Sequence, residues 1–232
     1  MISMKQKIGP SYKLKNSKYT SWVRPFYLSA FLLIPLSDPS QWKSFQFMNA
    51  KTNQVQFQND GISIEVDNSA SPLIYPFKKS IKAKKLFVKA EFIGGLPKMQ
   101  DNITQGMGKY DDFILRMGLI YQGDDRLNWL QRQFAPTWLV EMEKLLPDSM
   151  GIKEVRFYTT CLQERVLNKP RRHMLHSKLI EECVTLVKQP GDFSLVKELN
   201  TETPVIGLWI ASDADEMGHK FRLKIKEIKI EY

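Results

Sequence analysis

The sequence has few of the residues on which common enzyme and metal motifs depend. Its 232 residues include two cysteines, Cys161 and Cys183, and three histidines. Two cysteines so far apart exclude a disulfide scaffold and a CxxC redox or zinc motif, and they allow at most one bridge. The sequence also lacks GxSxG, HExxH, P-loop and dinucleotide-binding fingerprints. It therefore does not indicate the hydrolase, zinc-protease or nucleotide-binding classes that these motifs mark.

An apolar run long enough to span a bilayer is also missing. The run from Phe26 to Leu36 has eleven residues, whereas a membrane-spanning helix needs about 20. It follows a segment in which every charged residue is basic: Lys5, Lys7, Lys13, Lys15, Lys18 and Arg24. This order is typical of a secretory signal. We therefore predict that residues 1–40 direct export to the periplasm or beyond; the alternative is a cytoplasmic protein whose basic arm leads into a buried first strand.

Positive charge is concentrated in that N-terminal segment. The chain carries 34 Lys and Arg against 25 Asp and Glu, and six of the nine excess charges precede Asp38, the first acidic residue. The remaining chain has 28 basic and 25 acidic residues, a net charge of +3. Its lysine run at residues 78–85 contains no aromatic residue that could stack on a base. We therefore predict no nucleic-acid partner.

Alternation with period two, the repeat of a β-strand, dominates the rest of the sequence. Ile62, Ile64 and Val66 are one example, and residues 113–121 are apolar on both faces, as in a central strand. We count about ten short strands with turn signals between them and few helices. This pattern predicts an all-β, mainly antiparallel fold, a two-sheet jelly-roll-like sandwich that forms a single domain over residues 41–232.

Two segments have helical spacing instead. Between about residues 125 and 146, apolar residues recur at helical intervals on both sides of Pro136. We predict a helical insert there that packs on its own sheet. Residues 192–199 (DFSLVKEL) are predicted to form a second, short helix with Asp192 as its N-cap.

Histidine and tryptophan offer few site candidates. His173 and His176 are three residues apart in a predicted strand, so they are expected on opposite faces and would not bind a metal together. Tryptophans can stack on sugars, but Trp209 lies within an apolar strand, and Trp129 and Trp138 lie on helical stripes. We therefore expect most of them in the core.

Acidic residues form the sharpest local features. Asp213 and Asp215, followed by Glu216, could bind a structural Ca²⁺ together with backbone carbonyls. The alternative is that these residues only satisfy turn geometry. Asp111 and Asp112 open the predicted central strand. If the fold places either of them beside Asp213, a metal site or a carboxylate pair for glycoside hydrolysis becomes possible. No other cofactor is indicated.

A set of short motifs resembles a known family. They are Trp42-Lys-Ser-Phe, Asp111-Asp112-Phe113-x-x-Arg116, a helical insert, and the closing segment from Gly207 to Gly218 (GLWIASDADEMG). Together they resemble the exported bacterial family catalogued as domain of unknown function 3047, over about residues 42–232. Tyr110 stands where the family has Gly, and Glu216-Met217 where it has Asn-Thr. The resemblance implies a jelly-roll-like sandwich, similar to carbohydrate-binding modules, in the cell envelope, without an established activity.

The leading functional prediction is a non-catalytic, exported β-sandwich that binds a glycan or another envelope component. Its binding residues are predicted to be Asp111, Asp112, Arg116, Asp213 and Asp215. One alternative is a polysaccharide-degrading enzyme on the same fold, with two carboxylates in a cleft. Another is a structural or protein-interaction module that uses the helical insert at residues 125–146. The sequence indicates neither catalytic residues nor an oligomeric state.

Overall fold

The computed structural model describes residues 30–47, 50–100, 102–124, 126–146, 150–173 and 176–232. Within these ranges the chain forms two α-helices, α1 (Trp129–Phe134) and α2 (Thr137–Leu145), and a larger set of strands. The strands are β1 (Phe31–Leu33), β2 (Lys43–Ser44), β3 (Gln54–Gln58), β4 (Gly61–Asp67), β5 (Ala70–Ile81), β6 (Lys85–Gly94), β7 (Arg116–Gly123), β8 (Gly151–Cys161), β9 (Pro170–Arg172), β10 (Leu179–Leu186), β11 (Gly191–Glu198), β12 (Val205–Asp213) and β13 (Lys220–Glu231).

These strands form two sheets. The six-stranded sheet has the order β11-β6-β13-β4-β3, with β1 also paired to β13, and the seven-stranded sheet has the order β2-β5-β12-β7-β8-β10-β9. Every paired neighbour among the described strands is antiparallel except β8 and β10, which are parallel. The predicted antiparallel, two-sheet, jelly-roll-like sandwich is confirmed. The predicted central strand is also confirmed, because β7 lies between β12 and β8.

The main core lies between the two sheets and follows the period of two. In β13, Phe221, Leu223 and Ile225 are buried, and a register shift after Ile225 then turns Ile228 and Ile230 to the same side. Met117 and Leu119 of β7 and Leu208 and Ile210 of β12 face them from the seven-stranded sheet. In each strand every second side chain points into this core, so the intervening side chains form the outer face of the sheet.

Turn chemistry fixes the register of the β3–β4 hairpin. Gly61 has φ +136°, and a Cβ atom there would overlap the carbonyl oxygen of Ile225 in β13. Only glycine meets both conditions, since other residues rarely adopt this φ and none lacks Cβ. The β3–β4 hairpin therefore packs closely against β13, and the apolar residues of β4 stay on the core side.

A second apolar cluster covers part of the outer face of the seven-stranded sheet. Trp138, Leu139 and Met142 of α2 are buried there against residues that include Ile120 and Trp209. The predicted helical insert is confirmed, with its packing on the sheet. Neither α1 nor α2, the helices of the described chain, has the length or the apolar run that crossing a membrane requires.

Helix α1 is less buried than predicted. Asn128 caps it, since its side chain accepts the backbone N–H of Gln131 and the Gln131 side chain accepts that of Asn128. Trp129 is nevertheless 76% exposed and Phe134 is 84% exposed. Trp129 is therefore an exception to the expectation that most tryptophans lie in the core, which Trp42, Trp138 and Trp209 meet. Helix α1 is held by its cap and its link to α2 rather than by the rings of Trp129 and Phe134.

The helix predicted at residues 192–199 is a strand, β11. All of it pairs antiparallel with β6, from Gly191 opposite Phe92 to Glu198 opposite Lys85. Phe193 and Leu195 face the core, whereas Val196 is exposed. The apolar residues satisfy helical and strand spacing equally well over so short a run, and pairing with β6 along the whole length of β11 favours the strand.

Part of the segment predicted for export belongs to the sandwich. Residues 1–29 lie outside the described residues. Phe31–Leu33 forms β1, which pairs with residues 229–231 of β13, and Ile34 is buried beside it. The folded domain therefore includes residues ahead of the predicted boundary at residue 41.

A disulfide joins Cys161, at the end of β8, to Cys183 in β10. The two Cα atoms are 5.8 Å apart, as is common for bridged cysteines. The bridge ties together the one parallel strand pair of the described chain, directly beside the residues that form the candidate site.

Candidate functional site

The candidate site is a cavity of about 300 Å³ on the outer face of the seven-stranded sheet. Strand β12 supplies Trp209, Ala211 and Asp213 to it, three residues that alternate along one face of the strand. Strand β7 supplies Arg116, which lies opposite Ala211. Because Leu208 and Ile210 face the core, the residues that alternate with them, Trp209, Ala211 and Asp213, face the cavity.

Aromatic rings form one wall of the cavity. The ring of Trp209 lies 5.6 Å from that of Trp138 and 5.1 Å from that of Phe157, measured between centroids. Gly118 in β7 lies opposite both Trp209 and Phe157, and a Cβ atom there would approach Phe157 to 2.7 Å. The absence of a side chain at Gly118 therefore lets the two rings meet across β7.

Arg116 is the centre of the charged part of the site. It is 7% exposed, and its Nε donates to Asp213 Oδ2 at 3.0 Å. One terminal nitrogen lies 3.1 Å from Asp111 Oδ2, and the other pairs with Glu181. Burial alone would lower the pKa of Arg116, but the surrounding carboxylates raise it above its ordinary value. The guanidinium is therefore a permanent buried cation that holds three acidic side chains together.

Asp111 has further cationic and polar partners. Arg171 donates to its Oδ1 at 2.6 Å, and His173 Nε2 lies 3.3 Å from its Oδ2. Burial works to raise the pKa of this carboxyl, but Arg116, His173 and Arg171 together hold it well below its usual range. Asp111 is therefore ionised at every physiological pH.

The pKa of Asp213 is shifted in the opposite direction to that of Asp111. Burial raises its pKa to about 8; Arg116 opposes this shift, and the charges of Asp112 and Asp111 add to it. Its Oδ1 accepts the backbone N–H of Phe113 at 2.6 Å. Two carboxyl groups that bind the same arginine thus have pKa values displaced in opposite directions.

Most of the predicted site residues come together. Asp111, Arg116, Asp213 and Asp215 all line the cavity. Asp112 does not: it is 2% exposed, and its carboxylate accepts the backbone N–H groups of residues 216 and 217 at 3.2 and 2.6 Å. The prediction that Asp112 binds a ligand is therefore corrected. Its carboxylate instead holds the acidic loop, residues 213–218, in place.

The acidic loop forms a turn at residues 215–218. Asp213 is engaged with Arg116, and Glu216 Oε2 accepts the backbone N–H of Asp111 at 2.7 Å. Among the described residues no three His, Cys, Asp or Glu side chains are placed to bind one metal ion. Calcium binding by Asp213, Asp215 and Glu216 stays a prediction.

The sequence did not indicate four charged or polar residues of the site: His173, His176 and Glu181, which line the cavity, and Arg171, which binds Asp111. Trp138 and Trp209 were expected in the core and also line the cavity. Glu181 comes from β10 and lies opposite Phe157 of β8, a parallel pairing that sequence spacing does not reveal. The rings of His173 and His176 stack with their centroids 5.3 Å apart, and the backbone N–H of His176 donates to the carbonyl oxygen of His173. The expectation that these histidines lie on opposite faces of a strand is therefore wrong.

Comparison with known proteins gives a limited result. No family model matches the sequence, and no curated protein matches it. Among solved structures the chain is similar to a xylan-binding module, CBM15, with a TM-score of 0.39 and 7% identity over 88% of this chain and 96% of that one. It is also similar to a family 11 carbohydrate-binding module from Clostridium thermocellum, in complex with a β-1,3-1,4-mixed-linked tetrasaccharide, with a TM-score of 0.40 and 7% identity over 86% of this chain and 94% of that one.

Both TM-scores are below 0.5. Neither ligand nor activity is therefore transferred from these modules to this chain. The resemblance to the domain of unknown function 3047 family likewise stays a prediction.

Proposed function

We propose that the protein binds a glycan in the cavity on the outer face of the seven-stranded sheet, and that it does so without catalysis. The observation that supports this most is that Trp138 and Trp209 share one cavity with the Arg116 network. Aromatic rings can stack on the apolar face of a sugar, and a few placed charged groups can bind its hydroxyls. The volume of about 300 Å³ is at the small end for ligand sites, so one sugar unit would enter.

The charges of the cavity favour neutral or basic sugars over acidic ones. Among the described residues, five acidic side chains line the cavity: Asp111, Glu181, Asp213, Asp215 and Glu216. Arg116 is the one arginine or lysine of this described lining. Asp215 is exposed, and no described cation pairs with it. A sugar carboxylate would meet like charge at this rim, whereas hydroxyl or amino groups would find acceptors.

A polysaccharide-degrading enzyme is the second candidate function. Asp213 favours it, because a carboxyl with a pKa of about 8 keeps its proton near neutrality and could act as a general acid. Both oxygens of Asp213, however, already accept N–H groups of the protein. Both oxygens of Asp111 are likewise paired with Arg171 and Arg116. Groups committed to internal partners suit a rigid binding site better than proton transfer, so we favour binding.

A glycan array followed by titration tests the binding proposal. We expect the wild type to bind neutral or amino-sugar oligosaccharides and to release no reducing ends from them. Asp215→Asn removes one exposed rim carboxylate and should weaken binding about two- to tenfold, the range for the net contribution of one ordinary hydrogen bond. Asp192→Asn makes the same change on β11 of the other sheet and should bind like the wild type.

Two results would separate the candidates. Release of reducing ends would establish the enzyme instead of the binding module. Absence of any glycan binding by a folded wild type, or equal loss of affinity in Asp192→Asn and Asp215→Asn, would contradict the proposed site.

We also propose that the protein is exported. The Cys161–Cys183 disulfide supports this, because disulfides persist mainly in oxidising compartments. Since β1 begins at Phe31, any cleavage has to occur before that residue to leave the strand in place. Residues 1–40 fused to a reporter that is active only in the periplasm are expected to give a signal, and a silent reporter would argue for a cytoplasmic protein.

A further inference from the structure

Two exposed carboxylates lie at the rim of the candidate glycan site. Asp215 and Glu216 both line this cavity, and both side chains are exposed, so a ligand can reach them from solvent. They belong to the turn at residues 215–218, whose backbone N–H groups at residues 216 and 217 donate to the buried carboxylate of Asp112. This anchor holds the backbone that carries the two side chains in a fixed position.

The basic residues around the cavity pair with its inner acids. The ion pairs are Arg116–Asp111, Arg116–Glu181, Arg116–Asp213, Arg171–Asp111 and Arg171–Glu181. Of the two histidines that line the cavity, His173 lies against Asp111, and burial lowers the pKa of His176. Asp215 and Glu216 form no ion pair with a basic side chain in the described part of the chain. Negative charge is therefore left over at the rim.

Glu216 shows the effect of this charge. Burial raises the pKa of its carboxyl, the backbone N–H of Asp111 opposes the shift, and the charges of Asp111, Asp112 and Asp215 add to it. A carboxyl group whose pKa is raised by neighbouring carboxylates lies in a negative potential. The same potential stabilises a cation that is placed at the rim.

An ammonium group suits this rim better than a hydroxyl group does. Both groups can donate to carboxylate oxygens, but hydrogen bonds between ionised partners are roughly twice as strong as those between neutral ones. The buried rings of Trp138, Trp209 and Phe157 line the same cavity. Such rings attract cations and also pack against the apolar face of a sugar. A ligand with both an ammonium group and a sugar ring therefore matches both parts of the site.

We infer that the glycan bound in this cavity contains an amino sugar with a free, protonated amine, whose ammonium group binds Asp215 and Glu216 at the rim. The inference rests on the proposed function, which it narrows from glycans in general to one class of sugar. An N-acetylated sugar fits less well, because acetylation removes the charge and adds atoms. The cavity of about 300 Å³ is at the small end for ligand sites and leaves little room for them.

Three β-1,4-linked tetrasaccharides that differ only in the substituent at C2 test the inference: those of glucosamine, glucose and N-acetylglucosamine. The titrations are made at pH 6, where the amine carries its proton, with EDTA present to remove calcium. The glucosamine tetramer should bind about two- to fivefold more tightly than the glucose tetramer, the range for one exposed ion pair. The N-acetylglucosamine tetramer should bind no more tightly than the glucose tetramer, and added salt should reduce the preference for the amine.

Two variants locate the ammonium group. Asp215→Asn and Glu216→Gln each remove one rim charge, and glutamine keeps an oxygen that can accept the backbone N–H of Asp111. Each variant should bring the affinity for the glucosamine tetramer closer to that for the glucose tetramer. Asp192→Asn, on β11 of the other sheet, changes a residue outside the described lining and should leave the ratio of the two affinities at its wild-type value.

The outcomes separate this inference from the proposed function. Equal affinity of the wild type for the glucosamine and glucose tetramers would overturn the inference and leave glycan binding in place. A preference for the amine that Asp192→Asn lowers as much as Asp215→Asn does would also overturn it. Absence of any glycan binding by the folded wild type, here and on the array, would contradict the proposed function as well.

Tetralysine provides a last comparison, because it offers ammonium groups without a sugar ring. It should bind more weakly than the glucosamine tetramer. Tighter binding of tetralysine would point to a basic peptide as the ligand and would overturn the inference.

Discussion

Replacing Arg116 by methionine is expected to lower the free energy of unfolding by about 3–5 kcal/mol at pH 7. Methionine has a similar length but no charge, so the variant leaves the carboxyl groups of Asp111, Glu181 and Asp213 together in a buried cluster without their central cation. Removing one partner of a buried ion pair is costly because the remaining charge is neither solvated nor neutralised. Urea denaturation followed by tryptophan fluorescence measures the loss.

Arg222→Met is the matched control. Arg222 pairs with Glu65 on the surface of the six-stranded sheet, where its side chain is half exposed, so its loss should cost less than about 1 kcal/mol. The deficit of the Arg116 variant should also shrink as the pH is lowered. Without Arg116 the folded-state pKa values of the carboxyls rise, so protonation at acid pH relieves the repulsion. A loss equal to that of the control would show that Arg116 is not the electrostatic centre of the site.

Asp213→Asn is expected to change the pH dependence of stability. In the wild type the folded-state pKa of Asp213 is raised from 3.8 to about 8. Between these values the folded protein keeps a proton that the unfolded chain releases. The contribution of Asp213 to stability is therefore present at low pH. It is lost as the pH rises from 3.8 towards 8, by up to about 1.4 kcal/mol per pH unit. Asparagine does not titrate, so the variant lacks this loss.

The informative quantity is the difference in unfolding free energy between the wild type and Asp213→Asn. Taking the difference removes the common contributions of His176 and His219, whose pKa values are lowered by burial and which titrate in the same range. The wild type should lose stability relative to the variant from pH 5 to pH 8. A difference that is constant, or that grows in favour of the wild type as the pH rises, would mean that Arg116 keeps Asp213 ionised.

Much of the site could be predicted from the sequence because it follows the strand period. Once Leu208 and Ile210 are assigned to the core, alternation places Trp209 and Asp213 together on the other face of β12. Arg116 is a charged residue within an apolar strand, and a buried arginine needs acidic partners. The pairing of Arg116 with Asp111 and Asp213 was therefore within reach of sequence analysis.

The rest depends on contacts that are distant in the sequence. Glu181 reaches Arg116 because β8 and β10 pair in parallel, with β9 between them in the chain and at the sheet edge. His173 directly follows β9, and its backbone N–H donates to the carbonyl oxygen of Leu179, which is distant from Arg116 in the sequence. Asp111 and Asp112 look equivalent in the sequence, yet only Asp111 lines the cavity, since Asp112 caps the backbone of the acidic loop. Asp111 and Asp112 lie outside the helices and strands. No regular alternation therefore indicates which way each side chain points.

Strand β11 shows that the spacing of apolar residues cannot distinguish a helix from a strand over a short segment. Phe193, Val196 and Leu199 have helical spacing, and Asp192 is a good N-cap residue, so local chemistry favours a helix. Pairing with β6 uses the backbone groups of the whole segment and buries Phe193 and Leu195 instead. Tertiary pairing overrides local preference here because a helix of this length has little stability of its own.

The proposed function places a glycan in the cavity that Trp138 and Trp209 both line. The chain has five tryptophans, so the indole N–H signals of the ¹⁵N-labelled protein, assigned with single Trp→Phe variants, report on distinct places. Trp42 is a built-in control, because it lies in the core and its Nε1 donates to the carbonyl of Pro35.

Titration with the oligosaccharide that binds best on the array is therefore the most direct measurement. We expect saturable shifts of the Trp138 and Trp209 indole signals, with the Trp42 signal unchanged. Shifts confined to Trp129 on the exposed face of α1, with Trp138 and Trp209 unmoved at saturation, would contradict the proposed glycan site.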